Sequence, residues 1–154
     1  MIKGPAIIGE GCEFRKGAYV RGNVICGEGV IVGNSSEIKQ SIIFDEAEIS
    51  HFNYVGDSVV CQKAHLAAGA MTSNLKLDCT PVVVQVSGRK VATGMLKFGA
   101  ILGRECQIGC NAVLNPGSII GEKSIVYPNV SFRGYLPKKS ICKLNQSQVV
   151  VEIK

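Results

Sequence analysis

The sequence has no tryptophan, only two histidines and an aromatic content of 6%. No apolar run approaches the roughly 18 residues that a membrane-spanning helix needs, so we predict no membrane partner. The first residues lack the long apolar segment of a signal peptide, which predicts a cytoplasmic location. With 46% hydrophobic and 19% charged residues, the 154-residue chain has the composition of a folded domain.

The seven cysteines are an odd number, and none of them forms a Cys-x-x-Cys pair. This spacing argues against a metal cluster or a disulfide framework and favours reduced thiols. Two histidines are also too few for a three-histidine zinc site of the carbonic anhydrase kind. The formal net charge of +5 suits anionic small molecules, and basic residues do not alternate with aromatic ones as in nucleic-acid binding proteins. We therefore predict no metal and no nucleic-acid partner.

What the sequence does contain is a six-residue repeat. Large apolar residues recur in phase over positions 8–44 and 96–132, with a shorter return over 60–72. Two residues before each of them the side chain is usually small, and glycine often follows. A large and a small residue every six positions is typical of a three-sided prism, in which the large residue fills the interior and the small one fits the corner. A period of six matches neither a helix nor a hairpin strand.

The predicted fold is therefore all-β, a single-stranded left-handed parallel β-helix. Three hexads make one coil, so residues roughly 18 apart stack on neighbouring coils about 4.8 Å apart. The phase breaks twice, and we expect two shortened corners near 50–59 and an extruded hairpin within about 73–95, where apolar segments flank Ser87-Gly88. The β-helix would occupy residues 1–132. Residues 133–154 would form a C-terminal arm with a terminal strand over 149–153.

Polar residues near the shortened corners are the candidates for chemistry. His51 lies in this irregular stretch, and departures from a regular scaffold are often functional. Stacking places Arg21 and Lys39 in the same slot of successive coils, with Tyr54 and Asn74 close by. We expect these five residues to meet along one edge of the prism, over about 14 Å. Such a set suits a phosphorylated sugar, although a solvated outer edge would show the same spacing.

At these positions the sequence resembles the hexapeptide-repeat acyltransferases. It is similar to the acetyltransferase domain of the bifunctional glucosamine-1-phosphate acetyltransferase/N-acetylglucosamine-1-phosphate uridyltransferases, and above all to archaeal sugar-1-phosphate nucleotidylyltransferases with that C-terminal domain. The resemblance covers residues 5–132. It rests on Glu37-Ile-Lys39, on the His-x-x-Tyr-x-Gly-Asp motif at 51–57 and on Lys97-Phe-Gly-Ala. It implies a homotrimer with active sites between subunits, and acetyl-CoA as a co-substrate with no permanently bound cofactor.

The same resemblance implies a role for each matching residue. His51 would be the general base that takes a proton from the attacking amino group. The acceptor would be an amino-sugar 1-phosphate similar to glucosamine 1-phosphate, bound by Arg21, Lys39, Tyr54, Asn74, Lys97 and His65. The acetyl-CoA groove would be lined by Ala68, Cys110 and Pro128.

Three departures from the family pattern leave alternatives open. After the motif the family usually has Asn-(Ile/Leu)-Gly-Ala-Gly-Thr, whereas this chain has His65-Leu-Ala-Ala-Gly-Ala70. The hairpin differs from the bacterial form, and a Gly-rich nucleotide-binding segment is lacking, so no uridyltransferase domain is expected. The alternatives are an acyltransferase of this fold with another amino-sugar or sugar-nucleotide acceptor, and a non-catalytic trimeric scaffold or regulatory module.

Overall fold

Short parallel strands wind into a solenoid of about eight turns in the computed structural model, which describes residues 1–153. Every third strand joins the same sheet, so the coil has three faces. Sheet I contains β1 (Ala6–Ile8), β4 (Val24–Cys26), β7 (Ser41–Ile43), β10 (Val59–Val60), β15 (Ala100–Leu102), β18 (Ser118–Ile120) and β21 (Tyr135–Leu136). Sheet II contains β2 (Glu13–Phe14), β5 (Ile31–Val32), β8 (Glu48–Ile49), β11 (His65–Leu66), β16 (Gln107–Ile108), β19 (Ile125–Val126) and β22 (Ile141–Cys142).

Sheet III is the face on which the candidate site lies. It contains β3 (Tyr19–Val20), β6 (Glu37–Lys39), β9 (Tyr54–Gly56), β12 (Met71–Thr72), β17 (Val113–Leu114) and β20 (Ser131–Phe132). All pairings within the three sheets are parallel, and the predicted left-handed β-helix is confirmed. A helix that could cross a membrane is not found in the described part of the chain.

The interior is filled by the residues that the six-residue repeat predicted. Ile38, Leu66 and Leu102 are fully buried, and so are the small residues Ala64 and Ala112 at predicted corner positions. Full burial of a leucine or isoleucine contributes roughly 1.5–3 kcal/mol. Because each strand supplies one such side chain, the stability of the coil is spread evenly along its axis.

Three predicted interior residues are exposed instead: Ile8 on the first coil, Phe44 and Leu96. The prediction for Phe44 is wrong because the first shortened corner lies elsewhere than expected. Phe44 is 46% exposed, and Ile43 occupies the interior instead. Ile38 and Ile43 are one residue closer than the repeat requires, so this shortened corner lies at residues 39–41. The second one, between Val55 and Val60, falls in the predicted region.

The predicted hairpin is confirmed. Strands β13 (Val83–Val86) and β14 (Arg89–Ala92) pair in antiparallel fashion. The turn residues Ser87 and Gly88 have positive φ angles of 48° and 78°, as a type I′ hairpin turn requires. An antiparallel bridge between Leu75 and Lys97 closes the base of the insert. The coil resumes only at β15, so Leu96, predicted to be interior, is 54% exposed.

The coil continues past residue 132, where the sequence pattern lapses. Strand β21 pairs with β18, and β22 pairs with β19. The predicted terminal strand over 149–153 is wrong, because residues 143–153 have no regular secondary structure. Their valines and isoleucine are exposed. A strand needs neighbours to pair with, and this segment has none within the described residues.

The buried cysteines behave as small core residues. Cys26 and Cys106 are almost completely buried, and all seven cysteines are free. Burial raises the pKa of each of these two thiols to about 12. They are therefore protonated at neutral pH and unreactive.

Truncation of an interior residue tests this view of the coil. We expect Leu102→Ala to lower the free energy of unfolding by roughly 2–5 kcal/mol, because it leaves a cavity that the adjacent coils cannot close. The exposed Leu77 is the matched control. Leu77→Ala should change the free energy of unfolding by no more than about 0.5 kcal/mol. Urea unfolding followed by circular dichroism measures both. Equal losses in the two variants would show that interior stacking does not dominate stability.

Candidate active site

The predicted site residues lie on both sides of sheet III and not along one edge. We call the corner that leads from sheet II into sheet III edge II–III, and the corner that leads from sheet III to sheet I edge III–I. Arg21, Lys39 and Asn74 lie at or next to edge III–I, whereas His51 precedes β9 at edge II–III. The prediction that these residues meet along a single edge was wrong. Stacking aligns only residues at the same position in each coil, and His51 precedes its strand whereas Lys39 and Asn74 lie at or after the end of theirs. A three-residue strand of about 10 Å separates the two edges.

A buried ion pair anchors the polar residues at edge III–I. Lys39 Nζ lies 2.8 Å from Asp57 Oδ2, and the two side chains are only 13% and 8% exposed. The same oxygen accepts a hydrogen bond from the side-chain amide of Asn74. That amide also donates to the Tyr54 hydroxyl at 3.1 Å. The charge-assisted hydrogen bonds to Asp57, together with the neutral one to Tyr54, link all four side chains.

Asp57 is a site residue that the sequence reasoning did not select. It lies one residue past Gly56, which pairs with Lys39, and it closes the His-x-x-Tyr-x-Gly-Asp motif. Both signals were present in the sequence. Neither shows that its carboxylate turns towards the lysine and the asparagine.

Gly56 leaves the space that the Tyr54 hydroxyl occupies. Gly56 pairs with Lys39 on the neighbouring strand, so its outward side faces the cluster. A Cβ atom at this position would lie 2.5 Å from the Tyr54 hydroxyl and 3.0 Å from Asn74 Nδ2. The absence of a side chain therefore lets the tyrosine fold over the strand and reach the asparagine.

Two further cations lie at the same edge and are exposed. Arg21 Nη1 lies 2.7 Å from Glu37 Oε1, and this hydrogen bond and the charge of Glu37 raise the pKa of Arg21. Lys97 is exposed at the base of the hairpin insert. Its neighbour Phe98 donates its backbone N–H to the carbonyl of Asn74 at 2.8 Å, which ties the insert to the cluster. The structure thus brings five of the predicted acceptor residues to edge III–I.

His51 lies at edge II–III with the residues predicted for acetyl-CoA. Its imidazole is exposed and packs edge-on against Phe52, with ring centroids 5.8 Å apart. Backbone hydrogen bonds along this edge join Gly69 to His51, Asn111 to Ala68 and Asn129 to Cys110, at 2.9–3.0 Å. Because of these bonds, the residues predicted to line the acetyl-CoA groove follow His51 along the coil axis. They are Ala68, Cys110 and Pro128. Their role stays a prediction.

His65 is not part of the cluster at edge III–I. It lies on the outer face of sheet II, and Ser50, Gln107 and Glu48 surround its ring. Nε2 is 2.8 Å from Ser50 Oγ, and Nδ1 is 3.0 Å from Gln107 Oε1. Both ring nitrogens therefore already have a partner within the chain.

An apolar groove of about 500 Å³ lies on sheet I next to the cluster. Its walls include Ile25, Ile42, Val59 and Phe98, and Asp57 borders it on the side of edge III–I. Exposed apolar patches of this kind mark interaction surfaces. Outward isoleucines on consecutive strands of sheet I were the signal in the sequence.

Sequence comparison assigns most of the chain to a known family. The family described as the GMPPB C-terminal domain matches residues 2–98. The bifunctional protein GlmU of Methanococcus maripaludis (strain C5) is 41% identical over 112 residues, which cover 73% of this chain and 27% of that protein. The bifunctional sugar-1-phosphate nucleotidylyltransferase/acetyltransferase of Sulfurisphaera tokodaii is 37% identical over 145 residues, 82% of this chain and 36% of that protein. The chain thus spans about a third of the length of these relatives.

A solved structure shares the fold. The acetyltransferase domain of PglB from Neisseria gonorrhoeae FA1090, in complex with acetyl coenzyme A, matches with a TM-score of 0.67 and 16% identity over 85% of this chain and 53% of that chain. At this identity the match shows the fold alone. Together with the family match and the closer relatives, it confirms the resemblance stated from the motif. The chain belongs to the hexapeptide-repeat acetyltransferases, in the family of the GMPPB C-terminal domain and of the acetyltransferase domain of GlmU.

Proposed function

We propose that the chain transfers the acetyl group of acetyl-CoA to the amino group of an amino-sugar 1-phosphate, with His51 as the general base. The observation that carries the proposal is the arrangement across β9. An exposed imidazole lies at one edge of sheet III, and a rigid polar cluster lies at the other. A sugar held by the cluster could direct its amino group towards His51 across about 10 Å.

In the proposed reaction the amine must be neutral when it attacks. The nitrogen lone pair attacks the thioester carbonyl carbon, and the C–S bond breaks to release the CoA thiolate. His51 takes the proton from the nitrogen and returns it to the leaving sulfur. An imidazole can both accept a proton from the nitrogen and return it to the sulfur.

Hydrogen-bond directions at edge III–I support a sugar acceptor. Asn74 donates to the Tyr54 oxygen, so the hydroxyl proton of Tyr54 is free to donate to a substrate oxygen. Lys39 uses one of its three N–H donors on Asp57 and can offer the others to the sugar. The exposed cations Arg21 and Lys97 are the groups that would take the phosphate.

The remaining roles belong to the same proposal. The acetyl-CoA donor is supported by the row of residues that continues from His51 along edge II–III, and by the acetyl-CoA bound to the PglB domain of the same fold. The apolar groove on sheet I supports subunit contact, as in the predicted homotrimer. The cytoplasmic location stays a prediction.

Replacement of His51 tests the chemistry. We expect His51→Ala to lower kcat/KM by about 100-fold or more, because proton transfer by a positioned base contributes 10²–10⁴-fold. The rate is measured as thiol release from acetyl-CoA with glucosamine 1-phosphate, galactosamine 1-phosphate and UDP-glucosamine as acceptors. Lys63→Ala, on an exposed corner of the coil, is the control and should keep the wild-type rate.

Two results would contradict the proposal. If the wild-type protein released no thiol with any of the three acceptors, a scaffold or regulatory role would be favoured. If His51→Ala and Lys63→Ala both kept the wild-type rate, transfer would proceed without His51. A higher rate with UDP-glucosamine than with either sugar phosphate would show that the acceptor is a sugar nucleotide.

Replacement of Asp57 tests the cluster separately from the base. Asp57→Asn leaves Lys39 buried without its counter-charge, so we expect a loss of roughly 3–5 kcal/mol in the free energy of unfolding. Because Lys39 and Asn74 both lose their anchor, the KM for the acceptor should rise about tenfold or more while the KM for acetyl-CoA stays unchanged.

The exposed pair of Glu13 and Arg15 provides the control for Asp57. Glu13→Gln should leave the free energy of unfolding and both KM values close to those of the wild type. Urea unfolding and steady-state kinetics give the two readouts. A KM for acetyl-CoA that rose together with that for the acceptor would place Asp57 at the donor site instead.

A further inference from the structure

His65 lies at the centre of a hydrogen-bonded chain on the outer face of sheet II. Its Nδ1 faces the amide oxygen of Gln107 at 3.0 Å, and its Nε2 faces the Ser50 hydroxyl at 2.8 Å. An amide oxygen can only accept, so Nδ1 carries the proton of the neutral ring. The hydroxyl of Ser50 then donates to Nε2. Ser50, His65 and Gln107 thus form one chain with a fixed direction across three adjacent coils.

The chain ends at the residue that precedes His51 in the sequence. Backbone hydrogen bonds hold the same corner: Ser50 donates to the carbonyl of Leu66 at 3.1 Å, and the carbonyl of His51 accepts from Gly69 at 3.0 Å. The next residue, Phe52, has a φ angle of 55°, which costs a non-glycine residue free energy and persists only when its surroundings impose it. Neighbouring coils therefore determine the shape of this corner.

The corner also packs closely against the preceding coil. A Cβ atom at Gly33 would lie 1.2 Å from the backbone oxygen of Ser50. Ser50 is consequently fixed on its backbone side by the coil before it and on its side-chain side by His65 from the coil after it. The imidazole of His51 projects from this fixed position.

We propose that His65 and Ser50 are positioning residues for His51. His65 holds the side chain of Ser50, and through the peptide bond between residues 50 and 51 it sets the direction in which the His51 imidazole projects. His65 does not contact the acceptor, because both of its ring nitrogens are engaged and it lies on sheet II, away from the cluster at edge III–I. The catalytic part of this inference rests on the proposed function of His51.

Kinetics distinguish a positioning residue from a substrate ligand. We expect Ser50→Ala and His65→Ala each to lower kcat between about 10- and 100-fold, as a displacement of about 1 Å does, with both KM values within about twofold of the wild type. Since the two residues act through one hydrogen bond, the double variant should be no slower than the slower single variant. Ser50→Thr, which keeps the hydroxyl, should restore kcat.

NMR gives a readout that does not depend on turnover. The chain has only two histidines, so His51→Ala and His65→Ala assign the imidazole signals. Ser50→Ala should shift the ring signals of both histidines in the folded protein. Ser131→Ala is the matched control, because this serine is exposed on sheet III three strands away from β9. It should leave the His51 signals and kcat unchanged. A thermal melt confirms that each variant is folded.

Three outcomes would overturn the inference. A raised acceptor KM with unchanged kcat in His65→Ala would make His65 a substrate ligand. Additive losses of kcat in the double variant would separate Ser50 from His65. His51 signals that did not move in Ser50→Ala would show that the hydrogen-bonded chain does not reach His51. If the wild type showed no transfer, the proposed function would fail, and the NMR result would still decide whether Ser50 and His65 position His51.

Discussion

Each coil has room inside for one large side chain from each of its three faces, and this constraint governs the rest of the molecule. Each strand must supply one large buried residue, which stacks on its equivalents above and below. In sheet III this column of interior residues runs through Val20, Ile38, Val55, Thr72, Leu114 and Phe132. Once the column is in register, the residues on either side of it point outward at fixed heights. Functional side chains are placed by the same register.

The two shortened corners create the polar cluster. Both follow strands of sheet III, after Ile38 and after Val55, and therefore both lie at edge III–I. The tighter path brings Lys39 beside Asp57. Thr72 replaces an aliphatic residue in the column, and its hydroxyl accepts from the backbone N–H of Gly56 at 3.0 Å. It also accepts from the Ser58 hydroxyl at 3.1 Å, so this polar interior residue is hydrogen-bonded within the coil.

The division of the candidate site between two edges has a physical basis. In the proposed reaction the base must be within reach of the amino group, whereas the acceptor must be held by groups that do not move. The exposed corner at edge II–III meets the first need, and the buried ion pair at edge III–I meets the second. Strand β9 joins them at a fixed separation.

The sequence by itself determined the β-helix, most of its interior positions and the hairpin, because burial in a narrow column leaves a strict period in the residue types. It also singled out His51, Lys39, Tyr54 and Asn74. Periodicity could not choose between Ile43 and Phe44, since adjacent apolar residues fit either register. Only the tertiary structure decided that Lys39 meets Asp57, that Ser50 meets His65 and that His51 lies on the other edge. These contacts depend on corner lengths and side-chain directions on neighbouring coils, which a linear pattern of residue types does not encode.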